Sequence, residues 1–143
     1  MIATQCLSDE YSTTRIVTRQ QPIFEKQAED KFETVLFLPE PQEHSRKGQG
    51  GLRTKGYFKT SLKDKPLITV VTVVFNGEEF LEETILSVIN QTYNNVEYII
   101  IDGGSTDGTQ DVIREYEHAI DYWVSEPDKG IYDAWNKAIK LSN

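Results

Sequence analysis

In the stretch IIIDGGSTDGTQD, residues 99–111, Asp102 ends an isoleucine run, and two glycines and two hydroxyl residues separate it from the next acid, Asp107. A carboxylate at the end of a buried strand needs donors, because its desolvation is otherwise unfavourable. The turn GGST offers backbone N–H groups for that purpose. Two chemistries suit such an aspartate. It can anchor the turn and the start of the following helix, or it can accept hydrogen bonds from a ligand that presents N–H or hydroxyl donors, as uracil N3–H and ribose do. Glycine turns between strand and helix often hold phosphate, but the acids in this one would repel it.

The loop after the preceding apolar run sharpens the choice. It reads FNGEEFLEE, with one glycine and Glu78, Glu79, Glu82 and Glu83 in close succession. A dinucleotide-binding sheet needs several glycines there, so that a pyrophosphate can approach the backbone and the helix start. Pyrophosphate would be repelled here, which disfavours a dinucleotide-binding domain. Asp107 and Asp111, spaced i, i+4 near a helix start, read as dipole-favoured surface acids and not as a metal pair. Cys6 is the only cysteine, and no Cys/His cluster has metal-ligand spacing.

The elements that must position these residues follow from periodicity. LITVVTVVF, residues 67–75, and VEYIIID, residues 96–102, are nearly continuous apolar runs, as expected of strands buried on both faces of a parallel sheet. IDYWVSE, residues 120–126, reads as a third strand. Between and after them lie helical patterns: Leu81, Ile85, Val88 and Ile89 on one face of the first; Val112, Ile113 and Tyr116 on the second, which Ser105 or Thr106 could cap; Ile131, Trp135, Ala138 and Ile139 along the third. The order βαβαβα predicts an α/β, Rossmann-like parallel sheet covered by helices. Ligands bind such sheets at the carboxyl ends of the strands. Phe75 and Asn76, Asp102, and Glu126 to Gly130 all fall on that rim.

The first half is different material. Residues 1–65 carry 11 Lys/Arg against 9 Asp/Glu, whereas residues 66–143 carry 4 against 14, within a net charge of −8. The acidic half argues against nucleic acid as a partner. Residues 1–30 read as polar and mostly irregular or frayed, and FETVLFLPEP, residues 32–41, contains a short strand-like run. SRKGQGGLRTKGYFKTSLKDK, residues 45–65, reads as a basic, solvated connector, with contact to lipid headgroups or a nucleotide-sugar phosphate as the sharper alternative. The expected organisation is a leader and linker over 1–65 and a domain portion over 66–143. No apolar run is long enough to span a bilayer, and the N-terminus lacks the pattern of a secretory signal. The expected compartment is the cytoplasm.

PLITVVTVVFNGEEFLEETILSVINQTYNNVEYIIIDGGSTDGTQDVIREY, continuing into SEPDKGIYDAWNKAI, resembles the start of the family 2 glycosyltransferases of GT-A fold, especially bacterial enzymes of surface-polysaccharide assembly. The resemblance implies that the chain is the first half of a GT-A fold, the part that binds a nucleotide-diphosphate sugar, with a UDP-linked donor as the expectation. Val73, Phe75 and Asn76 match the strand end that supports the base. Phe75 stands where a tyrosine is usual, which keeps stacking and loses a phenolic hydrogen bond. Val73 replaces a usual proline. Asp102 matches the acid that recognises uracil or ribose, with Gly103 where a second acid is frequent. Asp128 to Gly130 match the loop that closes over the base, and Asn136, one turn further on, reads as a helix-packing residue. The resemblance further implies a lipid-linked or saccharide acceptor, peripheral contact with the inner face of the membrane, and a divalent metal, Mg or Mn, in the complete enzyme. The metal's Asp-x-Asp motif and the catalytic base lie downstream of the third helix in the family pattern. The expectation for these residues is therefore no catalytic or metal-binding residue, and nucleotide binding without turnover. A non-catalytic nucleotide-binding or interaction module is the alternative.

Overall fold

The computed structural model describes residues 2–24 and 34–143. In chain order the elements are β1 (Gly48–Gly50), β2 (Ile68–Val74), α1 (Glu78–Ile89), β3 (Val96–Asp102), α2 (Thr109–Glu115), β4 (Tyr122–Ser125) and α3 (Ile131–Leu141). They form one four-stranded sheet ordered β1-β4-β3-β2, in which β2, β3 and β4 are parallel and β1 runs antiparallel to β4. The expected βαβαβα unit is present, and its architecture is a Rossmann-like half-domain.

All seven residues of the central strand β3 are buried, which accounts for its continuous isoleucine run. Its side chains alternate between two cores. Tyr98 and Ile100 pack with Leu81, Ile85 and Ile89 of α1 and Ile113 of α2, whereas Ile99 and Ile101 pack with Val124 and with Ala134, Ala138 and Leu141 of α3. The third helix departs from expectation. It meets the sheet through its alanines, which permit close approach, and leaves Ile131, Trp135 and Ile139 exposed.

The first half is much less detached than its composition suggests. No strand forms over residues 34–41: Val35 donates to the Lys140 carbonyl (2.8 Å) and Leu36 and Leu38 are buried, so this segment docks as an irregular strip. Phe32 and Glu33 of the expected run lie outside the described residues. Residues 11–18 are irregular but not frayed. Ser12 donates its N–H to the Ile89 carbonyl (2.7 Å) and its hydroxyl to Val88 (3.0 Å), serving carbonyls that a helix end leaves without partners.

The basic connector is solvated only in part, with Lys47, Lys55 and Lys63 exposed and Arg53 and Lys59 buried. Its Gly48–Gly50 segment is β1, paired Gly48 to Ser125, Gln49 to Val124 and Gly50 to Trp123. Gly51 then takes φ 109°, and a Cβ there would lie 2.7 Å from the carbonyl oxygens of Ile120 and Asp121, so only glycine fits. Arg53 pairs with Glu97 (2.9 Å) and donates to the Leu36 and Leu141 carbonyls, all with buried side chains. Lys59 pairs with Asp121 (2.6 Å), whose second oxygen accepts the Tyr98 N–H (2.8 Å). Burial pushes the Asp121 carboxyl up from its ordinary value, and the Lys59 ammonium opposes that shift. The physical reason for the departure is charge complementarity between the halves: buried carboxylates need paired cations, and the connector supplies them.

Candidate functional site

At the carboxyl rim, β2 hands over to Phe75, which is 63% exposed, and then to Asn76. Asn76 adopts φ 50°, in the left-handed region that asparagine tolerates better than most residues. That turn lets its N–H donate to the Ser105 hydroxyl (2.7 Å) while its side-chain oxygen accepts the Thr106 N–H (2.8 Å). Gly77 N–H donates to the Thr109 hydroxyl (2.9 Å) and Gly108 N–H to the Glu78 carboxylate (3.0 Å). The loops after β2 and β3 are thereby joined along their length.

Asp102 lies beneath this junction, fully buried. Its carboxylate accepts the Ser105 hydroxyl, the Ser105 N–H (3.2 Å) and the Ser125 hydroxyl (2.6 Å). Ser105 also receives the Asn76 N–H, so the loops after β2 and β3 and the end of β4 meet on one buried acid. This arrangement changes two expectations. The donors that satisfy Asp102 include two side-chain hydroxyls as well as the turn backbone, and they come from the protein itself. Ser105 is thus committed to Asp102 instead of capping α2. Asp107 takes the place beside that helix start, accepting the Thr109 N–H (3.0 Å) and hydroxyl.

A cleft of about 500 Å³ opens beside the junction. Its walls are Val73 to Phe75 from the end of β2, Gly103 from the turn, and Asp128, Gly130, Ile131 and Ala134 from the β4–α3 loop and α3. A Cβ on Gly103 would lie 2.9 Å from Asp128 Oδ2, so the missing side chain makes room for a carboxylate from the facing loop. Among the described residues, the one hydrogen bond that the Asp128 side chain accepts comes from Gly130 N–H (3.2 Å). Of the five residues singled out by sequence, Val73, Phe75 and Asp128 line the cleft, while the exposed Asn76 and the buried Asp102 do not. Asn136 is exposed on α3, which does not fit a helix-packing role.

Sequence reasoning placed Glu126 on the rim without giving it a role or a partner. It is buried at the start of the β4–α3 loop, held by Arg46 (3.0 Å) and Lys137 (3.2 Å). The signal that could have found it is the charge imbalance between the two halves. Among the described residues, no group of three or more His, Cys, Asp or Glu side chains is gathered to hold a metal ion. The described residues therefore do not fit the divalent metal that the family resemblance implies.

The sequence model of Glycosyl transferase family 2 matches residues 69–143, the segment that carries β2 through α3 and the cleft. The chain belongs to glycosyltransferase family 2. Over 75 residues it is 43% identical to an uncharacterised glycosyltransferase of Mycobacterium tuberculosis, covering 52% of this chain and 29% of that protein. A Bacillus subtilis glycosyltransferase named for teichuronic acid biosynthesis is 38% identical over 79 residues, 53% of this chain and 31% of its own length. Chondroitin synthase of Escherichia coli is 32% identical over 83 residues, 57% of this chain and 12% of its own. The matched part thus spans less than a third of each of these family members. No solved structure matches the chain.

Proposed function

We propose that the rim cleft receives the base end of a nucleotide-diphosphate sugar, a UDP-sugar, which serves as donor for transfer to a lipid-linked or polysaccharide acceptor. The carrying observation is the pairing of an exposed aromatic ring, Phe75, with a lightly engaged carboxylate, Asp128, across one cleft at the carboxyl ends of parallel strands. An exposed ring offers a stacking face to a flat base. A carboxylate with spare lone pairs accepts from N3–H or from ribose hydroxyls. Val73 floors the site, and Asn76 and Asp102 hold its wall in place, with Asp102 acting through Ser105 and Ser125. Surface-polysaccharide assembly at the inner face of the membrane suits the naming of the Bacillus relative. Among the described residues no helix is long and apolar enough to cross a membrane, so on this reading contact with the bilayer would be peripheral.

Among the described residues, Asp128 is the one ionisable side chain that lines the cleft. We therefore expect residues 1–143 to bind nucleotide and not to turn it over, with residues 66–143 acting as the first part of a GT-A domain. Titration calorimetry with UDP, UMP and NAD tests this reading. UDP and UMP should bind and NAD should not, and Asp128→Asn should weaken UDP about tenfold, the loss of one hydrogen bond to a charged group. Equal or tighter binding of NAD would overturn the assignment, and glycosyl transfer from UDP-sugars with Mn²⁺ would overturn the claim of no turnover.

A further inference from the structure

Two adjacent residues of the connector, both ahead of the family-matched span that begins at Thr69, reach the two loops that wall the cleft. Arg46 donates through Nε to Glu126 (3.0 Å), with Nη2 also 3.0 Å from the same carboxylate oxygen, and donates through Nη1 to the Leu38 carbonyl (3.2 Å) and through Nη2 to the Pro39 carbonyl (2.9 Å). Glu126 lies two residues before Asp128. Lys47 places its ammonium against the Gly104 and Ser105 carbonyls (2.8 and 3.3 Å), immediately after Gly103. Its own N–H donates to the Ser125 carbonyl (2.7 Å), which ties the residue just ahead of β1 to the end of β4.

We infer that Arg46 and Lys47 form a strap that sets the spacing between the Gly103 turn and the Asp128 loop, and so act as positioning residues for the nucleotide cleft. The physical basis is the closeness of the two walls. Asp128 Oδ2 stands where a Gly103 side chain would be, and a Cβ on Gly104 would lie 3.1 Å from the Pro127 nitrogen, so a small shift of either loop changes the cleft. The turn's carbonyls converge on Lys47, and an ammonium there neutralises dipoles that would otherwise push the turn outward. Arg46 holds a buried carboxylate whose loss of partner would displace the other wall. The consequence for ligand affinity rests on the nucleotide reading of the cleft; the strap itself does not.

Arg46→Met leaves the buried Glu126 with Lys137 alone and endangers folding, so Lys47 is the deciding position. In the 143-residue chain, Lys47→Met should speed hydrogen exchange of the Ser105 amide about tenfold while leaving Ile99 to Ile101 of β3 unchanged, the signature of local and not global opening. It should weaken UDP binding several-fold, and Lys47→Arg, which keeps a cation within reach, should restore both readouts. A uniform rise in exchange that includes β3 would reduce Lys47 to a general stabiliser and overturn the inference, as would an unchanged Ser105 amide. If the unaltered chain binds no UDP, the cleft reading fails, and the exchange pattern still decides the strap.

Discussion

Along the seam between the connector and the sheet, three cations meet three carboxylates with little access to water: Arg46 with Glu126, Arg53 with Glu97 and Lys59 with Asp121. At the cleft, a few residues away, Phe75 faces solvent and Asp128 accepts a single internal hydrogen bond among the described residues. The same chain thus saturates its acids in one place and leaves one unsaturated in another. The rim repeats the contrast on a smaller scale. Asp102 has three internal donors and Asp128 has one, although both lie where ligands meet this kind of sheet. A saturated buried acid holds structure together, and an undersupplied, partly exposed one is free to recognise something else.

The largest effect should come from the seam. Lys59→Met strands Asp121 as a buried charge with the Tyr98 N–H as its remaining donor, and should lower stability by about 3–5 kcal/mol in urea unfolding. Pairing it with Asp121→Asn should recover a good part of that loss, and the folded fraction should keep its UDP affinity. If Lys59→Met left stability intact, the seam would not differ from a surface ion pair.

Asp102→Ala comes next. It leaves the Ser105 and Ser125 donors without their buried acceptor and should cost about 1–3 kcal/mol for each group left unsatisfied. A drop in UDP affinity with stability unchanged would instead move Asp102 to the ligand side of the comparison.

Asp107→Asn should have the smallest effect, present at neutral pH and vanishing in acid. The Thr109 hydroxyl first, then the Thr109 and Glu78 N–H groups, hold Asp107 below its ordinary carboxylate value of 3.8. Its contribution is therefore complete above about pH 3.8 and lost as pH falls through the lower folded value. The variant should lack this small contribution at pH 7, flatten that part of the acid limb, and converge on the parent chain below the folded value.

The three parallel strands were legible because each is a β-branched or apolar run, and the expected span of β3, residues 96–102, agrees with the structure residue for residue. β1 was not, since Gly-Gln-Gly has almost no intrinsic strand preference and forms a strand only because β4 offers an edge to pair with. Arg53 and Lys59 read as solvated cations because nothing local marks a partner; Lys59 meets Asp121 across 62 positions. On α3, Ile131, Trp135 and Ile139 have the spacing of a core stripe, yet the sheet contact is made by the smaller Ala134 and Ala138. The rim location followed from strand order alone. Which of its two aspartates lies in the cleft depended on Ser105 and Ser125, whose hydroxyls no sequence pattern directs toward Asp102.

Backbone amide mapping by NMR during a UDP titration tests the central claim most directly. The account predicts shifts concentrated at Phe75, Gly103, Gly130 and Ile131, with Asp128→Asn abolishing most of the response and Gly48 to Gly50 of β1 nearly silent. Shifts centred on β1 and the seam, or none at the cleft at saturating UDP, would contradict it.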